Sequence, residues 1–257
     1  MASHHRLGTT CTTGSAPGAT RIAGPPRRRV GLLKTQTGLT TLIIKKITVG
    51  LLEENCYLLG CEKTRAAVLI DPGDSARSIL QQVEEDDLEL QAIVNTHAHF
   101  DHVLAVNNIV DATGVPFWLH ELDLPTLQAV PAQVEAWLGA RVPPVRHPDH
   151  YLEEGQTLEF GTMRLQVRFV PGHAPGHVAF VEEEHRLAVV GDTLFHRGIG
   201  RFDLSGADGP TLLASITDQL LTLEDDFAVL PGHGPETTIG EERVQNPYVG
   251  EHATFVV

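Results

Sequence analysis

Thr96-His97-Ala98-His99-Phe100-Asp101-His102 follows directly on the apolar run LQAIVN at residues 90–95. The run is short, β-rich and uninterrupted, which predicts a buried strand. In extended backbone, residues two apart project to the same side, so His97 and His99 would leave the strand end pointing together. Asp101 and His102 follow where the pattern turns helical, with HVLAVNNIVDAT (102–113) as the helix and Gly114 as its stop. Four potential ligands thus fall within six residues. Three imidazoles and a carboxylate have little packing purpose just past an apolar strand, and strand-end loops are where sites are built.

Three later positions repeat the placement. His173 lies in VPGHAPGH after the run RLQVRFV, Asp192 in AVVGDTLF, and His233 in AVLPGHG. Each follows an apolar strand and is flanked by Gly or Pro, residues that turn the chain sharply and let it crowd a ligand. Strand ends on one edge of a sheet would gather all of them. The chain holds 14 histidines, and neutral imidazole is the commonest metal ligand.

Around these motifs the elements alternate. LIIKKITV, NCYLLGC and AAVLID predict strands; SARSILQQVEEDD predicts a helix with Ser75 as its N-cap; PFWLH predicts a strand and ELDLPTLQAVPAQVEAWL a broken helix. A Pro/His-rich loop spans 143–150. The strands TLEFG, MRLQVRFVPG, HVAFVEEE and RLAVVGD follow, then the helix GPTLLASITDQLLTL and FAVLPGHG as the last strand. The order implies mixed α and β layers, built on either a sheet-on-sheet core or one central sheet. Folding signals begin at Thr41. Residues 1–41 are rich in Ser, Thr, Gly, Pro and Arg without apolar periodicity, and read as a disordered or non-native extension or a targeting segment, with 42–257 as the folded domain.

Charge narrows the function classes. The first 52 residues carry no acid, so all 33 acidic residues and 11 of the 19 basic ones lie beyond them, a net charge of −22 on that part. Such a body repels phosphate backbones and anionic membranes, arguing against nucleic-acid and membrane partners. It does not deter metal cations. The three cysteines, Cys11, Cys56 and Cys61, form no C-x-x-C pair and read as free thiols of a reducing compartment. The expected location is cytoplasmic, or an organelle matrix if the extension is a transit peptide.

H-x-H-x-D-H, then G-H, G-D and P-G-H, together resemble the metallo-β-lactamase superfamily. The closer likeness is to its short, single-domain bacterial relatives of type II glyoxalase (hydroxyacylglutathione hydrolase), running from Ile44 to Val249. ENCYLLG (54–60), IDPG (70–73), PGHAPGH (171–177), GDTLFHRGIGRFD (191–203) and PGHGPETTIGEERVQNP (231–247) carry it. The resemblance implies an α+β fold, a four-layer αββα sandwich with the metal site at one edge of the two sheets. It implies two divalent metal ions, zinc first and iron or manganese as alternatives. His97, His99 and His173 would hold one, Asp101, His102 and His233 the second, and Asp192 would bridge them. Asp101 and Asp192 would then be the catalytic carboxylates. The implied reaction is hydrolysis of a small-molecule thioester of the S-D-lactoylglutathione type by a hydroxide shared between the metals.

Four further residues are candidates for the surroundings. Asp71 would orient the ligand loop or simply form a turn before Pro72. His177 would line the site or be hydrogen-bonded behind it. His196 and Arg201, in the Gly-rich loop after Asp192, would form the substrate mouth, with Arg201 anchoring a carboxylate of a glutathione conjugate or pairing internally with Asp203 or Asp208. Thr193 reads as structural, and His120, His147, His150, His185 and His252 as ordinary residues. Two departures bear on glutathione. Longer type II glyoxalases carry a helical region after the last ligand, whereas 24 residues follow His233 here. Those enzymes also have a lysine and a tyrosine where this chain has GIGRFD. Rival readings are a mononuclear-iron persulfide dioxygenase, a lactonase or other ester hydrolase on the same scaffold, and a non-catalytic metal-binding module.

Overall fold

In a computed structural model of the chain, residues 41–254 are described. Residues 1–40, with Cys11 and nearly all of the expected extension, lie outside them. The first sheet holds β1 (Leu42–Val49), β2 (Glu54–Cys61), β3 (Ala66–Ile70), β4 (Glu89–Val94), β5 (Phe117–His120) and β6 (His150–Leu152), in that spatial order. β1 to β3 are antiparallel neighbours, and β3 to β6 run parallel. Parallel pairing needs crossovers, and the helices supply them: α1 (Ala76–Glu85), α2 (Phe100–Val103), α3 (Val106–Thr113), α4 (Leu124–Gln128) and α5 (Val130–Leu138).

The second sheet contains β7 (Thr157–Phe160), β8 (Met163–Phe169), β9 (Val178–Glu182) and β10 (Leu187–Gly191). A small hairpin follows, of β11 (Leu194–Phe195) and β12 (Gly198–Ile199), then α6 (Gly209–Ser215) and a π-helical turn, Ile216–Leu220. β13 (Ala228–Pro231) and β14 (Thr237–Thr238) complete the sheet, in the order β14-β13-β10-β9-β8-β7, and α7 (Ile239–Gln245) follows.

Period-two alternation explains how these sheets stack. In β3, Val68 and Ile70 join the cluster between the sheets, while Ala67 and Leu69 join the one under the helices. In β9, Val178 and Phe180 face the first sheet, and Ala179 and Val181 face α6. Strands buried on both faces read as continuous apolar runs, which is why AAVLI, VAFVE and LAVVG show no polar alternation. Two sheets face to face, each covered outside by helices, make the four-layer αββα sandwich, so the core is sheet on sheet rather than one central sheet.

Several local expectations need correction. Ser75 stands before α1, but in the left-handed region (φ 55) with no side-chain cap. The helix expected over 102–113 divides into α2 and α3, while Gly114 stops it as expected, with φ 74. The loop expected over 143–150 runs into a strand that was not expected: His150, its last residue, forms β6 with Tyr151 and Leu152 along the open edge of Trp118–His120. β13 is not the last strand: β14 and α7 follow, and the Thr238 side chain caps α7 by accepting the Glu241 N–H. That Thr-x-x-Glu spacing was available in the sequence. Cys56 and Cys61 are buried free thiols.

Phe180 is fully buried between the sheets, opposite Val167 and Val189. Phe180→Ala is expected to cost about 3–5 kcal/mol, read as a lowered urea midpoint at unchanged slope and fixed metal content. A shift under about 1 kcal/mol would mean the inter-sheet core is not where stability resides.

Candidate metal centre

Five strand ends converge. Asp71 follows β3, the segment Thr96–His102 follows β4, His173 lies beyond β8, Asp192 follows β10 and His233 follows β13. β3 runs parallel to β4 and β10 parallel to β13, so their C-terminal ends share one edge of the sandwich. All seven ligand candidates meet there. His97, His99 and His173 form one cluster of potential donors, and Asp101, His102 and His233 a second. His99 Nδ1 lies 2.9 Å from His173 Nε2, and His233 Nε2 lies 3.2 Å from Asp101 Oδ2. Asp192 faces both clusters: its carboxylate is 3.6 Å from His173 Nε2, 3.5 Å from His102 Nε2 and 3.6 Å from His233 Nε2.

The rings are aimed by what they do with their other nitrogen. His102 Nδ1 meets Asp71 Oδ2 at 3.1 Å. His173 Nδ1 donates to the Arg201 carbonyl at 2.8 Å, and His233 Nδ1 to the Leu52 carbonyl at 3.0 Å. Each leaves Nε2 turned inward. Asp71 also accepts the Thr96 N–H and hydroxyl, at 2.7 and 2.6 Å, so it grips the ligand loop at its start. His177 stands behind the cluster rather than in it. Its ring stacks on His97 at 4.6 Å, its Nε2 accepts the Asp192 N–H, and its Nδ1 contacts the Thr193 hydroxyl, which donates to the Val190 carbonyl. Both nitrogens are used, so His177 positions Asp192.

Backbone crowding accounts for two glycines. Asp71 adopts φ 52, which turns the chain back after β3. A Cβ at Gly73 would collide with the Asp101 carbonyl, and one at Gly232 with the Asp192 carboxylate and the His102 ring. IDPG and PGHG are therefore packing requirements of the ligand loops.

Sequence reading missed Asp123, at the end of a 3₁₀ turn (Glu121–Asp123). Fully buried, it accepts the Ala98 N–H through Oδ2 at 2.7 Å and the Gly176 N–H through Oδ1 at 2.8 Å. One carboxylate thus ties the His97–His99 loop to the His173–His177 loop. Burial pushes its pKa up to about 6, against the pull of the two N–H donors. No ligand-like spacing marks it, because its partners are backbone groups far away in sequence. Asn55 and Tyr57 play a related part for the last loop, donating to the Pro231 carbonyl at 3.0 and 2.8 Å.

The donor chemistry fits divalent cations. Among the described residues, His97 Nε2, His102 Nε2 and Asp192 Oδ1 are buried without a hydrogen-bond partner, a costly state for aimed polar atoms. Burial first, then the neighbouring imidazoles, holds His97 well below the usual histidine range, and His99 at about 3. Both rings therefore offer lone pairs at neutral pH. Burial works to raise the Asp192 carboxyl, but His102 and His173 override it and keep it ionised. Nitrogen and carboxylate donors without thiolate suit zinc, iron or manganese.

A cavity of about 460 Å³ opens onto the cluster, lined by His99, Asp101, His173, Asp192 and His233, by apolar side chains, and by Gln133, Ser205 and Arg201. His196 is not brought to it: the ring is exposed and faces Glu242 on α7 at 3.9 Å. Arg201 does line the cavity, but Asp203 takes its guanidinium in two parallel hydrogen bonds of 2.9 Å, the internal pairing rather than a free anchor. Asp123→Ala, which releases both loops, is expected to weaken metal binding about 10–100-fold with the fold retained. Chelator competition measures it, and unchanged affinity would remove Asp123 from the supporting framework.

Comparison with known proteins agrees with this fold. The family profile of the metallo-beta-lactamase superfamily matches residues 49–233. Hydroxyacylglutathione hydrolase GloC of Haemophilus influenzae is 36% identical over 207 residues, covering 80% of this chain and 97% of that protein. Among solved structures, the BLEG-1 B3 metallo-beta-lactamase superposes with a TM-score of 0.76 at 36% identity, covering 80% and 99% of the two chains. TTHA1623 in a di-iron-bound form superposes with a TM-score of 0.73 at 44% identity, covering 79% and 99%. The chain belongs to the metallo-beta-lactamase superfamily.

Proposed function

We propose that this protein is a metal-dependent hydrolase of small-molecule thioesters of the S-D-lactoylglutathione type. The observation that carries the two-metal reading is Asp192, whose carboxylate stands within 3.5–3.6 Å of histidines from both clusters. His97, His99 and His173 would hold one ion, Asp101, His102 and His233 the other, and Asp192 both. Zinc is the first candidate. Iron has support from the di-iron form of a relative, and manganese suits the same donors. Bound there, two divalent ions lower the pKa of a water between them and polarise a carbonyl.

The chain's own contribution is orientation and exclusion. Asp71, Asp123 and the Arg201 and Leu52 carbonyls fix the donors before substrate arrives, so little reorganisation remains for the reaction. The cavity wall favours thioesters in one specific way. Its titratable side chains, among the described residues, are the ligand candidates and Arg201. None is placed as a proton donor to a leaving group. A thiolate departs without one, whereas an amine or alkoxide leaves poorly unprotonated. The name of the Haemophilus relative supports glutathione as the thiol carrier. Residues 42–257 constitute the catalytic domain in this reading, with 1–41 as an extension. No helix among the described residues is long and apolar enough to cross a membrane.

The test follows free-thiol release from S-D-lactoylglutathione by protein reconstituted with zinc, iron or manganese, alongside elemental analysis. Metal-dependent turnover with two ions per chain is expected. Asp192→Ala should lose bound metal and activity together, because one residue serves both ions. Full activity in that variant would overturn the site assignment, and a single iron with O₂ uptake on a persulfide would move the function to the oxidative rival.

A further inference from the structure

Apart from the ligand candidates, the cavity wall is built from Leu52, Phe100, Trp137, Phe195 and Leu204, with Arg201, Gln133 and Ser205 among them. Among the described residues lining it, Arg201 is the one cation. Its position is set at three points. Its carbonyl accepts from His173, its guanidinium lies 5.3 Å from the centre of the Trp137 ring, and its Nε and Nη2 donate to the two oxygens of Asp203. An arginine beside a metal centre would ordinarily recognise a substrate carboxylate through that same two-bond geometry. Here the geometry is already satisfied. Asp203 is tethered two residues away, so it competes at an effective concentration that a dilute substrate does not reach.

The remaining wall offers a charged group two neutral polar side chains, Gln133 and Ser205, and no free cation. Trp137 is 55% exposed and Leu52 40% exposed at the mouth, so apolar area is available to be covered by a ligand. A carboxylate seated there would lose hydration without a free cationic partner. Arg201 is joined to the ligand cluster through His173, so one of the two substituents of the carbonyl that the cluster faces meets this wall.

We propose that the acyl group of the thioester lies against this wall, that the cavity selects uncharged acyl groups, and that Asp203, by occupying Arg201, is the specificity residue that turns carboxylate-ended acyl groups away. This rests on the thioesterase reading and names its acyl class.

The test compares two substrates of equal carbon-chain length, the butanoyl and succinyl thioesters of N-acetylcysteamine, which differ by methyl against carboxylate at the acyl end. Metal-loaded protein is expected to favour butanoyl by about tenfold or more in kcat/KM, mostly through KM, one desolvated charge against a methyl group being a large difference. Asp203→Asn should narrow that ratio about three- to fivefold, the scale of an exposed ion pair, and Asp203→Glu should restore it. Equal use of the two substrates, or a ratio that Asp203→Asn leaves unchanged, would overturn the proposal while leaving the hydrolase reading intact. Hydrolysis of S-D-lactoylglutathione alone, with neither synthetic thioester used, would do the same. Binding separates the two readings if nothing is hydrolysed. In a Trp118→Phe background Trp137 is the only tryptophan, and its fluorescence reports the matched S-butyl and S-(3-carboxypropyl) thioethers. Tighter S-butyl binding, with the gap narrowed by Asp203→Asn, supports the selectivity even where the reaction differs, and equal binding overturns it.

Discussion

Asp71 and Asp123 hold the segment Thr96–Ala98 from two directions, one accepting the Thr96 N–H and the other the Ala98 N–H. Without those acceptors the segment would have no reason to keep its shape. His97, His99, His102 and His177 crowd within ring-centre distances of 4.1–4.7 Å around His97, and buried imidazoles gain nothing from one another. A loop carrying such rings would relax outward to hydrate them. The two buried carboxylates supply the opposing pull on the backbone, where the bond does not depend on side-chain rotamers. Because Asp123 also binds Gly176 and Asp71 also binds His102, the same two groups set the spacing between the ligand loops.

The sandwich makes that arrangement affordable. Ligand loops leave from β3 and β10, buried along their whole length, and from the buried C-terminal halves of β4 and β13, with the inter-sheet cluster below and helices outside. Stability comes from apolar area remote from the edge, so the edge can carry unpaired nitrogen and oxygen atoms that would be intolerable in a marginal fold. Asp71 shows the same division locally. Its left-handed backbone is unfavourable for a residue with a Cβ, and it is held by the parallel pairing of β3 with β4 on one side and by the Ala105 N–H bond to the Pro72 carbonyl on the other. Strain of that kind persists only where surrounding structure over-determines it.

How far the sequence could be read follows from the range of each interaction. The strands were legible because burial on both faces leaves continuous apolar runs, and His97, His99, Asp101 and His102 because ligand spacing is local. His173, Asp192 and His233 were legible by repetition, each a Gly-flanked polar residue after a strand. Asp123 was not, since its carboxylate acts on N–H groups 25 and 53 residues away, and any residue presents an N–H. His196 misled for the opposite reason: it is near Asp192 in sequence, but the β11–β12 hairpin turns its ring toward α7. Arg201 was legible as one of two outcomes, and the choice between them rested on the conformation of a single turn.

Charge gives the site its direction. The seven donors comprise five imidazoles, neutral when their lone pairs are engaged, and two carboxylates. Two divalent cations would therefore leave an excess of two positive charges at the bottom of the cavity, on a folded body whose sequence is strongly acidic. With both ions held, that excess would polarise a carbonyl above the cluster, and the surrounding acids would not cancel it, because exposed charges more than about 10 Å away are screened by salt. The wall beyond the donors is mostly apolar, so the field would be strongest where the reacting bond would lie and would be dissipated least by water. Attraction from the centre favours any anion, and discrimination among anions must then come from the wall. Arg201 is the wall's one cation among the described residues, and the partner it has already taken, Asp203, is what the wall presents to an arriving carboxylate.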